Sequence, residues 1–243
     1  MSLAKSDFIS VVKKQYIYKL NGFSKFFLMI IFTQILGMLF ALTNAGGNMA
    51  TSTNIYKFNI ERNTTIQVYI FTIACVVGAT ILLNLKDYKD MDFTFVSNRI
   101  SSNVSNIGFL ITLSLFGSVT SALSGILVRT IKYLSIGGSR IIESGFFLSP
   151  GEVMCSIGAN FFYILIISSI VYFCTVLTES SKLFIIVILA VVVLLPQTPL
   201  LGTIIEFYGK ESSLLIFMIK AIITAAIFFC ASVVASNNLE VRR

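Results

Sequence analysis

The side chains that most often do chemistry are scarce in this chain. It has no histidine among its 243 residues, so the commonest general base and the commonest metal ligand are both missing. The four cysteines, Cys75, Cys155, Cys174 and Cys230, all fall inside apolar runs, and no pair has metal-ligand spacing. They read as small packing residues. The 11 acidic residues lie mostly in polar connecting stretches, and none is near the middle of an apolar run. Intramembrane carboxylates usually mark proton or sodium coupling, so this distribution argues against a secondary transporter and against an intramembrane protease. There is no phosphate-cradling glycine loop, so the chain is expected to hydrolyse no nucleotide by itself. No catalytic residue, metal ligand, bound cofactor or nucleic-acid partner is expected.

The residues left to carry function are those suited to docking and packing. Lys86 to Ser102 is the most charged stretch, and it sets Met91, Phe93, Phe95 and Val96 beside Tyr88, Asp90, Asp92 and Arg99. Aromatics with a polar rim fit a docking surface, the alternative being aromatics seated at the membrane interface. Near the N-terminus, Phe8, Val11, Val12, Tyr16 and Leu20 recur at helical spacing, while Lys5, Ser6, Lys13, Lys14 and Lys19 largely occupy the other faces. That pattern is a basic amphipathic helix over residues 1–22, lying in the headgroup layer with its apolar face down and its lysines near anionic lipid. It reads as a simple anchor or as a lever touching a cytoplasmic partner. Gly117, Ser121 and Gly125 repeat at i+4, a spacing that lets helices approach closely within the chain or between two copies, or that lines a polar pathway. Pro196 and Pro199 end or kink whatever helix precedes them, and the apolar residues after them suit either a short outer hairpin over 200–211 or an amphipathic outer loop. Lys220 lies inside an apolar run, where it either snorkels to the outer interface or lines a substrate cleft.

The elements that must position these residues are membrane helices. The chain is 56% hydrophobic and 12% charged, with a mean hydropathy of +0.90, against roughly 25% charged residues in soluble domains. Six apolar runs are long enough to cross about 30 Å of hydrocarbon: residues 23–43, 66–85, 107–128, 153–177, 183–201 and 213–236. The expected fold is therefore all-α, a polytopic six-helix bundle with an interface helix before it. Residues 26–42 could pass for the core of a signal peptide, but the polar stretch before them is longer than a usual n-region, so a retained helix is expected. With the N-terminus inside, 11 basic residues fall on the inner side against six outside, which puts both termini in the cytoplasm. The loop 129–152, with three basic residues on the outer face, fits that rule poorly; it is too polar and too broken to span, and surface-lying or partly re-entrant structure is expected there.

In this order the features resemble the membrane subunit of ABC-2 type (type V) exporters in a small bacterial half-transporter form. The resemblance rests on a basic N-terminal helix, two spans, and a charged cytoplasmic segment running through Phe95-Val96-Ser97-Asn98-Arg99-Ile100-Ser101-Ser102-Asn103-Val104-Ser105-Asn106 into the third span. A proline-broken fifth span with an outer hairpin and a sixth with a short basic tail complete it. It covers nearly the whole chain and rests on architecture, since these permeases share no strict motif. It implies a coupling helix over about 88–98, a connecting helix over 3–20, a second permease subunit making a dimer, and separate cytoplasmic ATPase chains that bind ATP and Mg. It further implies a plasma-membrane location. A bundle rich in Phe, Ile and Leu suits amphipathic or hydrophobic cargo. Export of toxin or antimicrobial peptides is the leading expectation, with lipid or drug export or peptide immunity as alternatives. A non-transporting assembly or sensor protein is the reading from another class.

Overall fold

The computed structural model describes residues 8–43, 49–53, 56–60, 66–85, 99–136, 149–180, 183–194, 198–209 and 214–238. Among them the helices are α1 Phe8–Gly22, α2 Ser24–Leu42, α3 Ile66–Leu83, α4 Arg99–Ile136, α5 Pro150–Ser180, α6 Leu183–Leu194, α7 Pro199–Gly209 and α8 Leu214–Asn238. Between α2 and α3, strands β1 Met49–Thr53 and β2 Tyr56–Ile60 pair antiparallel, with Met49 opposite Ile60 and Thr53 opposite Tyr56. The membrane bundle itself is helical, as it must be where no water can satisfy a strand edge.

Among the described residues, five helices are long and apolar enough to cross a membrane: Ser24–Leu42, Ile66–Leu83, Ile100–Ile131, Pro150–Thr178 and Leu214–Asn237. The chain is thus a multi-pass membrane protein. The expected sixth, over 183–201, is not one helix. At about 1.5 Å per residue the 12 residues of α6 reach about 18 Å, short of the hydrocarbon thickness. Pro199 is the first residue of α7, the position where its missing N–H would be unpaired in any helix, and Gly209 is the last. Pro196 lies outside the described residues.

Side-chain contacts give the helix directions. Gln34 meets Thr72 and Gly37 meets Val68, so α2 and α3 are antiparallel. Phe27 meets Phe109 and Gln34 meets Thr120, so α2 and α4 run the same way. Asn106 reaches Tyr172 while Gly117 faces Ile164, so α5 opposes α4. Phe162 meets Phe217 and Phe173 meets Phe228, so α8 runs parallel to α5. Two parallel neighbours need a return between them, and the segment 181–213, containing α6 and α7, supplies it in two pieces. The start of α2 and the end of α8 therefore lie at the same end of the bundle.

Two boundaries moved for identifiable reasons. Helix α5 begins at Pro150, ahead of the expected 153. The backbone N–H of Ser149 donates to Glu152 Oε2 at 2.9 Å, and the Glu152 N–H donates back to Ser149 Oγ at 3.3 Å. That reciprocal pair is a capping box with proline at the first helical position. Helix α4 has 38 residues, about 57 Å, and overshoots the hydrocarbon at both ends. The first part of the expected loop 129–152 is thus its continuation; residues 137–148 lie outside the described residues.

The core lies where α2, α3, α4, α5 and α8 meet. Phe23, Phe26, Ile30, Val76, Phe109, Leu113, Ile164, Tyr172 and Ala221 are buried in one cluster. Phe109 is its hub, with ring centroids 5.7 Å from Phe23, 6.4 Å from Phe26 and 6.1 Å from Phe27. Outside it, Leu28, Phe32, Ile70 and Leu215 are exposed. In lipid that exposure carries no penalty.

Candidate functional site

The junction of α1 with the start of α4 is the most polar buried region among the described residues. It forms because α4 opens with Ser101, Ser102, Asn103, Ser105 and Asn106, whose spacing places oxygen acceptors on one helical face. Lys19, in the last turn of α1, is only 1% exposed. Its ammonium donates to Ser105 Oγ at 2.8 Å, to Ser102 O at 3.3 Å and Ser102 Oγ at 3.4 Å, and to Asn106 Oδ1. Asn106 Nδ2 then donates to the Tyr172 hydroxyl at 3.3 Å, and that hydroxyl donates to Asn103 Oδ1 at 2.9 Å. One network therefore joins α1, α4 and α5. Removing an ammonium from water costs several kcal/mol even after relaxation. Hydrogen bonds to a charged group return about 1.5–3 kcal/mol each, so several together can hold it. Beside the network, Tyr16 fills the space a side chain at 108 would take: a Cβ on Gly108 would lie 3.3 Å from its ring.

This overturns part of the expectation for α1. The helical spacing puts Lys19 on the polar side of α1, away from the bundle, yet it is the anchor, and Gln15, also buried, lies one turn before it. Val12 and Tyr16 are half-buried on the flanks of that bundle face, Phe8 and Ile9 are exposed, and Lys13 and Lys14 are exposed. The acceptor-rich face of α4 explains the change: it offers an ammonium more partners than an apolar side chain could use. The signal was present in the sequence as a Ser/Asn run at helical spacing just before an apolar stretch.

The residues expected to dock a partner stand next to this junction in the chain. Tyr88, Asp90, Met91, Asp92, Phe93 and Phe95 lie outside the described residues; Arg99 opens α4, with its side chain outside them. Residues 86–98 thus connect the end of α3 to the start of α4, both at the α1 end of the bundle.

Deeper in the bundle, Gln34 is buried and donates through Nε2 to Thr120 Oγ1 at 2.9 Å, Thr72 Oγ1 at 3.1 Å and Gly117 O at 3.4 Å. It pins α2, α3 and α4 together. Gly117 allows the approach, because a Cβ there would lie 3.2 Å from Thr72 Cγ2. Ser121 is buried and donates to Ser118 O at 2.9 Å; Gly125 is buried too. These residues face neighbouring helices of the same chain, and the serine hydroxyls are satisfied by their own helix. At the α1 end, Asn84 Nδ2 donates to Thr175 Oγ1 at 2.7 Å, while toward the far end Asn160 and Ser156 bond the Tyr69 hydroxyl.

At that far end, Lys220 is half-buried on α8. Its Nζ stands 3.9 Å over the Phe207 ring and donates to Phe207 O at 3.5 Å. The Tyr163 hydroxyl donates to Tyr208 O at 3.2 Å. The last carbonyls of α7 thus find donors from α8 and α5, and a cation sits at the negative end of the α7 dipole. The expected hairpin over 200–211 is helix α7 over its described residues, with Pro199 exposed at its start.

What the arrangement can do is hold helices in fixed relation and carry a displacement from one to another. Compared with family models, curated proteins and solved structures, the chain matches none.

Proposed function

We propose that this chain is the membrane-spanning permease subunit of an ABC-2 type exporter in the plasma membrane, driven by a separate cytoplasmic ATPase and working as a dimer of permease subunits. The observation that carries the reading is the buried Lys19 junction. It ties α1 to the first turns of α4, directly after the charged, aromatic stretch 86–98. A partner gripping that stretch would bear on α3, α4 and α1 together.

In this reading the ATPase chains hold ATP and Mg, and their closure moves the handle around Asp92 and Phe93. The network through Asn106 and Tyr172 passes the displacement to α5, whose packing on α8 then changes. ATP can drive the cycle only by favouring one arrangement over the other. The cargo side is an apolar surface rich in Phe, Ile and Leu, which favours amphipathic peptides over ions or sugars.

The test is the double substitution Asp92→Ala with Phe93→Ala, assayed with the cognate ATPase in proteoliposomes. Stimulated ATP hydrolysis should fall to the level of the ATPase alone, or the ATPase should no longer co-purify. Wild-type stimulation and export from that variant would refute the docking assignment.

A further inference from the structure

We propose that the outward face of α1 is a binding surface for anionic phospholipid headgroups, selective over zwitterionic ones. This rests on α1 and its neighbours alone and does not depend on the exporter reading. The depth of α1 follows from its connection. A single residue, Phe23, separates it from the spanning helix α2, with the Phe23 N–H donating to Lys19 O at 2.8 Å. With Lys19 held on Ser105 and Asn106 just before the apolar run of α4, we place the helix where hydrocarbon gives way to headgroups.

Its two sides are chemically distinct. The bundle side is taken by Gln15 and Lys19, and no lipid can reach them. The opposite side carries Ile9, Lys13 and Ile17 at four-residue spacing, with Lys14 beside them, all exposed; Ile9 is 72% exposed. Lys25, also exposed, stands in the first turn of α2. Isoleucines at this depth want acyl chains, and the adjoining ammonium groups want negative charge just above them. A zwitterionic bilayer satisfies the first demand and offers no net charge for the second. An anionic one satisfies both, with about 1 kcal/mol of attraction for each lysine near the surface, severalfold local enrichment of the anionic lipid. The face that binds lipid is thus the reverse of the one the amphipathic pattern picks out: the side with Val12 and Tyr16 turns to protein.

The chain contains no tryptophan, so one introduced tryptophan is a site-specific reporter. The full-length Ile17→Trp protein is reconstituted in bilayers containing brominated phosphatidylglycerol or brominated phosphatidylcholine at equal mole fraction, and fluorescence quenching is compared. Quenching by the anionic lipid should exceed that by the zwitterionic lipid by about twofold or more. The excess should vanish in Lys13→Gln/Lys14→Gln and at about 0.5 M salt, where screening reaches within a few ångströms. Ile9→Trp repeats the measurement if the first variant folds poorly, and Leu28→Trp on the lipid side of α2 should be quenched equally by both lipids. Equal quenching at position 17 would overturn the proposal. So would no quenching there while Leu28→Trp is quenched, because a protein surface would then cover this face.

Discussion

Two lysines at opposite ends of the bundle show how a cation is placed in an apolar protein. Lys19 sits in a polar stretch where water is near, yet it is fully buried in oxygens from Ser102, Ser105 and Asn106. Lys220 sits within a run that spans the membrane, yet it stays half-exposed, holding one carbonyl and one ring of α7. Hydropathy alone would have assigned the two burials the other way round. Acceptor supply decides: α4 presents a face of short polar side chains to Lys19, while α7 presents the Phe207 carbonyl and ring to Lys220. The first lysine is built into the fold, and the second closes a helix end.

That contrast can be broken by substitution. Lys19→Ala removes the charge and leaves the Asn106 and Ser105 acceptors turned inward, so it should lower stability by about 3 kcal/mol. Thermal unfolding in detergent, with proteolysis of α1, would show it; a midpoint equal to that of Lys13→Ala would mean the network holds nothing. Gly117→Leu adds atoms where the nearest side chain is 3.2 Å from a Cβ, and overpacking of this kind costs about 2 kcal/mol. If the unfolding midpoint is unchanged, α2, α3 and α4 are not in close contact there. Gln34→Leu tests whether a mid-membrane amide counts for more than a lysine at the edge. Interhelical hydrogen bonds in lipid average about 0.6 kcal/mol, so a loss near 1 kcal/mol is expected in the same assay. Lys220→Met should be the mildest, about 0.5 kcal/mol, since the cation is only half-buried and methionine keeps the ring contact. A drop as large as that of Lys19→Ala would erase the distinction between the two sites.

Much of the architecture was legible because the bilayer imposes it. The runs at 23–43, 66–85, 107–128, 153–177 and 213–236 each overlap a helix long and apolar enough to span, since length and apolarity settle the question without tertiary detail. The run at 183–201 is not confirmed as one span: hydropathy does not record where one helix gives way to the next, and Pro199 opens a new helix. The start of α5 was missed for want of reading Ser149-Pro150-Gly151-Glu152 as a cap. Lys19 was missed for a different reason. An amphipathic projection assumes that charge faces water, and it cannot see an acceptor face more than 80 residues away in sequence. Asn103, Asn106 and Tyr172 were invisible as a network for the same reason, because only the antiparallel packing of α4 on α5 brings them together.

The functional account stands or falls on what touches the stretch between α3 and α4. A photo-cross-linking amino acid in place of Phe93, activated in native membranes, reads that contact directly. The account expects a covalent adduct with a nucleotide-hydrolysing chain, formed in higher yield when ATP is present. Adducts with lipid alone, at the same yield with and without ATP, would contradict it.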